Sequence, residues 1–261
     1  MAEARTLEHQ TRDGRFGEFT EAGYKDILRL AKERYRFERF GTATEHDHVL
    51  WRHDLDYSIH RALRLARIEA DLGVHATYFF FLRTPYYSLM ETATVIAARE
   101  ILSLGHNAGL HFDPTFYTAL GDSRPLESAI EFERGVLEDV LGTPVEVLSF
   151  HNPAHAGLLD NDAPQFAGML SAYGKGLREE YEYISDSFGY WRFRPLREVL
   201  ETGVHKKLHV LTHPEWWVPE AMPPRERVSR CVNGRAAAMM KAYDDLMEEA
   251  GMTETLRALR P

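Results

Sequence analysis

The sequence predicts an α/β fold of barrel type, and three observations lead to this prediction. From His48 onwards, short apolar runs alternate with amphipathic stretches, as in parallel strands joined by crossover helices. No glycine- and serine-rich linker, repeat or low-complexity tract interrupts this alternation. The chain has 261 residues, and α/β barrels reach roughly 250 residues as single domains. We therefore expect one barrel domain over 46–261, with residues 1–45 as a helical extension packed on it.

Periodicity and capping residues predict the elements of the first half of the chain. Tyr24, Ile27 and Leu28 lie three or four residues apart, which predicts an amphipathic helix within 19–40. Ser58 is a suitable N-cap for a helix that Gly73 ends. Apolar runs and further periodic stretches add strands over 48–56, 76–82 and 106–112, and a helix over 88–103.

The second half of the chain continues the same alternation. Asp122 or Ser123 opens a helix whose apolar residues recur at helical spacing, and Gly142 lies just past its end. Strands are predicted over 145–151, 181–187 and 207–213, and helices over 195–202 and 225–250.

The charge balance and the cysteine count exclude several classes of protein. The 31 lysine and arginine residues and 40 aspartate and glutamate residues give a net charge of −9, which argues against nucleic acid or an anionic membrane as the main partner. Cys231 is the single cysteine, so a disulfide framework is excluded. No run approaches the roughly 18 apolar residues of a membrane span, and the amino terminus lacks the apolar segment of a signal peptide. We expect a cytoplasmic protein.

Polar residues follow the predicted strands in a pattern that points to a metal site. Five strands end in ionisable residues, which are Asp54 with Asp56, then His111, His151, Asp186 and His213. The carboxyl ends of parallel strands converge on one face of such a fold. Imidazole and carboxylate groups are ligands of zinc and similar divalent ions. Asp54 and Asp56 point the same way on an extended segment, so one can bind the metal while the other takes a proton from water.

Simpler interpretations exist for each of these residues and for the other histidines. A single strand-end aspartate or histidine is more often a helix cap or a packed core residue, and only the joint pattern favours a site. The other histidines are expected to be exposed or packed, with His53 and His106 intermediate. The aromatic residues near Trp191 and Trp216 are either sugar-stacking platforms or core covers. No Gly-x-Ser-x-Gly elbow and no phosphate-binding glycine loop occurs.

Five ordered motifs resemble those of the polysaccharide deacetylase family, carbohydrate esterase family four, and most of all its divergent bacterial branch. They are HDLD at 53–56, GHNAGLHFD at 105–113, SFHNP at 149–153, YISDS at 183–187 with Trp191 and Arg192, and LTHPEWW at 211–217. The likeness covers roughly two thirds of the chain, over 46–217. The order and separation of the motifs make it more specific than any single motif would be.

The resemblance implies a distorted (β/α) barrel of about seven strands and the metal-dependent removal of acetyl groups from sugars, a hydrolysis of a carbon–nitrogen bond when the group is N-acetyl. It implies that Asp54 is the catalytic base and His213 the general acid. Asp56 and His111 correspond to metal ligands. Asp186 corresponds to a residue that orients or tunes its neighbours.

Two departures from the family pattern leave the third metal ligand open. The family's second metal-binding histidine lies four residues after the first, where this chain has Thr115, a poor zinc ligand. The third motif usually reads Arg-x-Pro-Tyr, but here it begins with His151 and Asn152. We infer that His151 supplies the missing ligand, with Asp113 as the competing candidate.

The remaining expectations concern the metal, the substrate and the alternatives. The cofactor is expected to be one divalent ion, with zinc first and cobalt, nickel and manganese as alternatives. Arg52, Asn152, Trp191 and Trp216 are the candidate substrate contacts. In the cytoplasm, a nucleotide-linked, lipid-linked or small glycosylated precursor of a surface polysaccharide is the expected substrate. The alternatives are a barrel metallohydrolase acting on another amide or ester bond, and a non-catalytic carbohydrate-binding protein.

Overall fold

The computed structural model describes residues 15–42, 44–158 and 161–252, together with 254 and 258. The α-helices are α1 Glu21–Lys32, α2 Ile59–Asp71, α3 Thr92–Ser103, α4 Pro114–Ala119, α5 Leu126–Leu141, α6 Lys175–Glu180, α7 Leu196–Thr202 and α8 Pro224–Glu249. The strands are β1 Arg36–Glu38, β2 His48–Asp54, β3 Thr77–Phe81, β4 Asn107–Phe112, β5 Val147–Phe150, β6 Gln165–Phe166, β7 Met169–Ser171, β8 Glu182–Ser185 and β9 Lys207–Thr212. Short 3₁₀ turns are Arg15–Glu18, Pro153–Ala156, Ser187–Gly189 and Pro214–Trp216.

The strands form one sheet in the order β6-β7-β5-β4-β3-β2-β9-β8, with β1 paired beside β2. Seven strands, from β7 to β8 along this order, pair in parallel, and β6 is antiparallel to β7. Helices connect most of the successive parallel strands, as the crossover rule requires. The predicted α/β fold with about seven parallel strands is confirmed.

The sheet is curled, so its two ends approach each other inside the fold. Arg52 on β2 lies between the ring of Phe79 on β3 and the ring of Tyr173, which follows β7. Tyr173 in turn hydrogen-bonds Tyr183 on β8, at the other end of the sheet. These interior contacts across the curl are what a distorted barrel predicts.

The central strands are buried along their whole length because helices cover the outer face of the sheet. Every residue of β2 and β3 is buried, as in parallel sheets that are covered on both faces. Gly109 on β4 allows one close contact in the interior, since a Cβ atom there would lie 2.6 Å from the Phe79 ring. The same Phe79 ring lies beneath the guanidinium of Arg52, 5.0 Å from the ring centre.

Helix α1 lies on this core as the periodicity predicted. Thr20 caps it by accepting a hydrogen bond from the Gly23 backbone at 3.0 Å, and Tyr24, Ile27 and Leu28 are buried. The sheet begins before residue 46, because β1 already pairs with β2. The division into an extension over 1–45 and a barrel over 46–261 stays a prediction, and residues 1–14 of that extension lie outside the described residues.

Several boundaries and small elements differ from the sequence expectations. Ser58 caps α2, as expected, and Gly142 ends α5 in the left-handed conformation. Helix α5 begins only after Pro125, because Asp122 instead accepts a hydrogen bond from the backbone of Arg124 in the preceding turn. The short elements β1, α4, β6, β7 and α6 were not predicted. None of the helices in the described ranges is long and apolar enough to cross a membrane.

Candidate active site

Three side chains converge where β2, β4 and β5 end. Asp56 lies two residues after β2, and His151 directly follows β5. His111 is the second-last residue of β4, where it pairs with Ser149 of β5. Asp56 Oδ1 lies 3.2 Å from His111 Nε2 and 3.4 Å from His151 Nδ1. The two imidazole nitrogens are 3.1 Å apart. One ligand atom from each residue therefore lies within 4.8 Å of the others, which is compact enough to surround a single ion.

The donor set of this cluster fits a divalent metal. Asp56 Oδ1 is buried and faces both imidazole nitrogens, but within the described ranges no hydrogen bond of good geometry satisfies it, although buried carboxylate oxygens normally have one. Burial acts to raise the pKa of Asp56, but the adjacent His111 and His151 outweigh it and hold the pKa well below its usual value. An ionised carboxylate and two imidazoles are three protein ligands, which is the number that catalytic zinc sites use.

Neighbouring polar groups orient both histidines toward the cluster. Ser149 Oγ lies 2.6 Å from His111 Nδ1, so His111 Nε2 faces Asp56. The side-chain amide of Asn152 lies 2.8 Å from His151 Nε2, so Nδ1 of that ring faces inward. Contacts of this kind fix the tautomer and the ring plane of metal-binding histidines.

Asp54 stands beside this cluster as an ionised carboxylate. Arg52 Nη2 donates to its Oδ2 at 2.7 Å and Arg52 Nε to its Oδ1 at 3.2 Å. Its Oδ2 lies 3.7 Å from His111 Nδ1, and Ser149 Oγ donates to Oδ1 at 3.4 Å. Burial acts to raise the pKa of Asp54, but the charge of Arg52 and then that of His111 outweigh it, so the pKa lies below its usual value. Asp54 is therefore kept in the proton-accepting form.

His213 approaches the cluster from the other oxygen of Asp56. Its Nε2 lies 3.9 Å from Asp56 Oδ2. On its far side, Asp186 accepts hydrogen bonds from His213 Nδ1 at 2.7 Å and from the His213 backbone at 3.1 Å. Trp217 Nε1 donates to the same carboxylate at 3.1 Å. Burial acts to lower the pKa of His213, but the bond to Asp186 and its charge outweigh it and raise the pKa to about 10.

The two candidate third ligands lie in different places relative to the cluster. His151 is in the cluster, whereas Asp113 caps α4 by accepting hydrogen bonds from the Thr115 backbone at 2.8 Å and from its hydroxyl at 2.6 Å. Asp113 is therefore engaged as a helix cap outside the triad, and His151 as the third ligand stays a prediction. Thr115 is occupied by the same cap.

Three of the four candidate substrate contacts are buried, which corrects the sequence interpretation. Arg52 is fully buried between Phe79 and Tyr173 and paired with Asp54, so it supports Asp54 and has no surface to offer a ligand. Trp191 packs against Phe19 with ring centres 5.4 Å apart. Trp216 is likewise buried.

The strand-end tryptophans are therefore core covers, the alternative that the sequence left open. Trp216 packs beside the ring of Tyr57, with ring centres 5.8 Å apart. Asn152 remains exposed at the rim of the cluster, in a left-handed conformation with φ 45°. The segments that follow His111 and His151 also line a cleft of about 630 Å³, which is bordered by Thr115, His155 and Arg124.

One buried acidic residue near the site, Glu215, was not among the candidates that the sequence suggested. Both carboxyl oxygens of Glu215 are buried without a hydrogen-bond partner in the described part of the chain. Burial raises the pKa of Glu215 well above its usual value, and the charge of Asp56 adds to the rise while that of His213 opposes it. The raised pKa favours the neutral form of this carboxyl group. The sequence signal that could have identified Glu215 was its position two residues after His213, between Pro214 and two tryptophans.

His53 and His106, which the sequence left between a packed and a functional role, make structural contacts. His53 Nε2 lies 2.6 Å from Glu69 Oε1, and His53 Nδ1 lies 2.8 Å from the hydroxyl of Thr212 on β9. Tyr78 also donates to Glu69, at 2.6 Å. His106 Nε2 lies 3.0 Å from the backbone oxygen of Ala66. These contacts tie helix α2 to the sheet and lie outside the cluster.

Comparisons with known proteins give structural neighbours only. No family model matches the sequence, and no curated protein matches it significantly. Similar solved structures include a polysaccharide deacetylase from Bacillus cereus, at 10% identity and a TM-score of 0.42, covering 70% of this chain and 84% of that one. A family 4 carbohydrate esterase from Bacillus anthracis matches at 13% identity and a TM-score of 0.39, covering 82% and 86%. The peptidoglycan deacetylase PdaC from Bacillus subtilis matches at 12% identity and 0.37, covering 80% and 99%.

These likenesses are too low to define an activity. All the TM-scores are below 0.5, so the functional argument depends on the residues of the site and not on these neighbours.

Proposed function

We propose that this protein is a metal-dependent hydrolase that removes an acetyl group, N-acetyl in the first instance, from a carbohydrate. The observation that carries the proposal is the triad of Asp56, His111 and His151 with an ionised Asp54 and a protonated His213 on its two sides. A metal site with a separate proton acceptor and proton donor is what hydrolysis of an amide requires.

Asp56, His111 and His151 are the residues that would hold the ion. A divalent ion bound there would supply a Lewis acid that polarises the acyl oxygen and lowers the pKa of the attacking water toward neutrality. Zinc is the first candidate because the donor set is two nitrogens and one carboxylate oxygen, and cobalt, nickel or manganese are alternatives.

Asp54 is placed to take a proton from the attacking water. The Arg52 ion pair keeps it ionised, and its Oδ2 lies next to the ring of His111. The same ion pair makes Asp54 a weak base, since a lowered pKa reduces the driving force of proton transfer. Its contribution therefore depends on position next to the cluster more than on basicity.

His213 is placed to donate a proton to the departing nitrogen. Its Nδ1 is held by Asp186, so Nε2 is the atom directed at the cluster. A pKa raised to about 10 means that this imidazole is protonated at neutral pH. Asp186 does not itself need to exchange a proton, because its function is to hold and charge the ring, as the aspartate of a catalytic triad does.

The resemblance of the five sequence motifs to polysaccharide deacetylases supports a sugar as the substrate. We extend the proposal to an acetylated precursor, nucleotide-linked, lipid-linked or a small glycoside, used in surface polysaccharide synthesis in the cytoplasm. Exposed Asn152 is the remaining candidate contact among the four substrate residues that the sequence suggested.

Acetate release from a panel of N- and O-acetylated sugars tests the proposal. Metal-loaded protein is expected to release acetate from at least one N-acetyl sugar, and a chelator is expected to stop it. Asp56→Ala should abolish release, whereas Asp113→Ala, an equivalent change at the nearby helix cap, should retain it.

Three results would contradict this proposal in different ways. Release that resists both the chelator and Asp56→Ala would show that the triad is not the centre. Hydrolysis of other amides or esters, without acetate release from sugars, would favour the alternative metallohydrolase. Sugar binding without hydrolysis of any substrate would favour the non-catalytic alternative.

A further inference from the structure

Helix α8 carries an apolar surface that no other element covers within the part of the chain that the structure describes. Arg227 is its one buried residue among those described. Farther along, the exposed fractions are 45% for Val232, 61% for Met239, 62% for Met240, 50% for Tyr243 and 62% for Leu246. Isolated exposed apolar residues are ordinary, but a continuous row of large ones marks a contact surface.

These residues share one face of the helix. At about 100° per residue they fall within about 120° of the helix surface, together with two further side chains. This apolar stripe consists of Val232, Ala236, Met239, Met240, Tyr243, Leu246 and Met247. The helix is fixed to the rest of the protein within its first half, where Arg227 donates to the Met222 backbone and Arg235 pairs with Glu91 at 2.7 Å. The stripe begins at that attachment and continues beyond it.

The charges of α8 are divided between its two halves. Residues 224–236 contain four arginines and one glutamate, and residues 237–249 contain one lysine and four acidic residues. A helix by itself is stabilised by acidic residues near its N-terminus and basic residues near its C-terminus. Helix α8 has the opposite order. Arg227 and Arg235 are engaged with the body of the protein, so the charges left to explain are those of Arg225 and Arg230 in the first half and the acidic residues in the second half.

We propose that the apolar stripe binds the same stripe of a second copy of this chain, with the two α8 helices antiparallel. Pairing about the midpoint between Met239 and Met240 places Val232 opposite Met247 and Ala236 opposite Tyr243. The same register places the basic half of each helix against the acidic half of the other. A parallel arrangement would place like charges together, so the charge order favours the antiparallel one.

The length of the contact suits a helix pair. The stripe runs over 16 residues from Val232 to Met247, or about 24 Å at 1.5 Å per residue. Two methionines at the centre allow close packing, since methionine fills irregular gaps. Because its large side chains are exposed among the described residues, the stripe is accessible to a partner.

Sedimentation of the full-length protein tests the contact. The parent protein is expected to reach the mass of two chains as its concentration rises to about 100 µM, whereas Met239→Glu should keep the mass of one chain because it places carboxylates at the centre of the pair. Ala237→Glu adds the same charge outside the stripe, about 120° around α8 from its centre, and should still give two chains. A parent protein with the mass of one chain at every concentration, or a Met239→Glu variant that still pairs, would overturn the proposal. Circular dichroism confirms that each variant is folded.

Charge reversal tests the direction of pairing. In the double variant R225E/R230E, the basic half of α8 becomes net negative, so antiparallel association should weaken by about tenfold. Parallel pairing would instead tighten, because the repulsion between two basic halves would be reduced. Tightening in that variant would overturn the antiparallel arrangement.

Discussion

At the scale of single residues, the proton on His213 is held mainly by Asp186, whose bond and charge raise its pKa most, with the charges of Asp56 and Glu215 adding to the rise. Asp186 is the partner of its ring nitrogen and of its backbone, and it is buried. A buried imidazole would otherwise lose its charge. The pair contributes stability that is complete below the ordinary histidine pKa of about 6.5 and is lost as the pH rises through about 10.

The pH profile of turnover should report this pair. For the parent protein we expect turnover to decline on the alkaline side near pH 10, where His213 loses its proton. Asp186→Asn removes the charge that raises this pKa, so the decline should move down by at least about one pH unit. Asp122→Asn changes an aspartate outside the site and should leave the profile in place. Profiles of acetate release make the comparison, and an unmoved decline in Asp186→Asn would remove His213 from the role of general acid.

Glu215 offers a second test at this scale, because its carboxyl is expected to be neutral. Glu215→Gln replaces a neutral acid by a neutral amide of the same shape, so the free energy of unfolding at pH 5 should change by less than about 1 kcal/mol. A carboxyl whose pKa is raised on folding contributes stability below its ordinary pKa and loses it as the pH rises.

Urea unfolding at two pH values measures the sign of this effect. The Gln variant should be at least as stable as the parent protein at pH 8, because it has no proton to take up on folding. A large loss of stability at pH 8 would show that Glu215 is ionised in the folded protein.

At the scale of elements, strand β2 organises the site by alternation. Arg52 and Asp54 point to the interior of the curl and pair with each other, whereas His53 between them points outward to Glu69 on α2. This period of two is the property from which the sequence predicted that Asp54 and Asp56 face one site. The same alternation places Arg52 on that face, but the sequence could not show that its guanidinium pairs with Asp54 inside the curl.

At Gly109, the backbone of strand β4 packs directly against the Phe79 ring of strand β3. Gly109→Ala would bring a Cβ atom to 2.6 Å from Phe79, displacing the ring that lies under Arg52. We expect the free energy of unfolding to fall by about 1–3 kcal/mol, as for other overpacked core positions. Gly135→Ala is the control, since nothing lies within 4 Å of that position, and in helix α5 it should stabilise by up to about 1 kcal/mol. Equal effects of the two substitutions in urea unfolding would contradict the proposed packing.

The elements that the sequence missed are short. Strands β6 and β7 have two and three residues, too few to show a period, and α4 is a single short helix after Pro114. The start of α5 was placed early because Asp122 is a good cap by type, yet the chain uses Asp122 in the turn that precedes Pro125. Local residue type therefore predicted that a cap was present but not which element used it.

At the scale of the whole molecule, the parallel order of the sheet brings distant residues together. Asp56, His111 and His151 are up to 95 positions apart in sequence, and the rule that strand ends converge was enough to group them. The same rule could not choose between Asp113 and His151, because both follow strands and only the capping geometry of α4 separates them. It also could not tell that Trp191 and Trp216 face the core, since a strand-end residue can turn either way.

The metal content of the purified, zinc-reconstituted protein tests the central claim most directly, which is that Asp56, His111 and His151 hold one ion. The parent protein should hold about one zinc per chain, the stoichiometry of a mononuclear site. His151→Ala should lose most of it, while His155→Ala, a histidine on the adjacent turn outside the triad, should retain it. Full zinc retention in His151→Ala and also in Asp56→Ala would contradict the metal centre and the reaction derived from it.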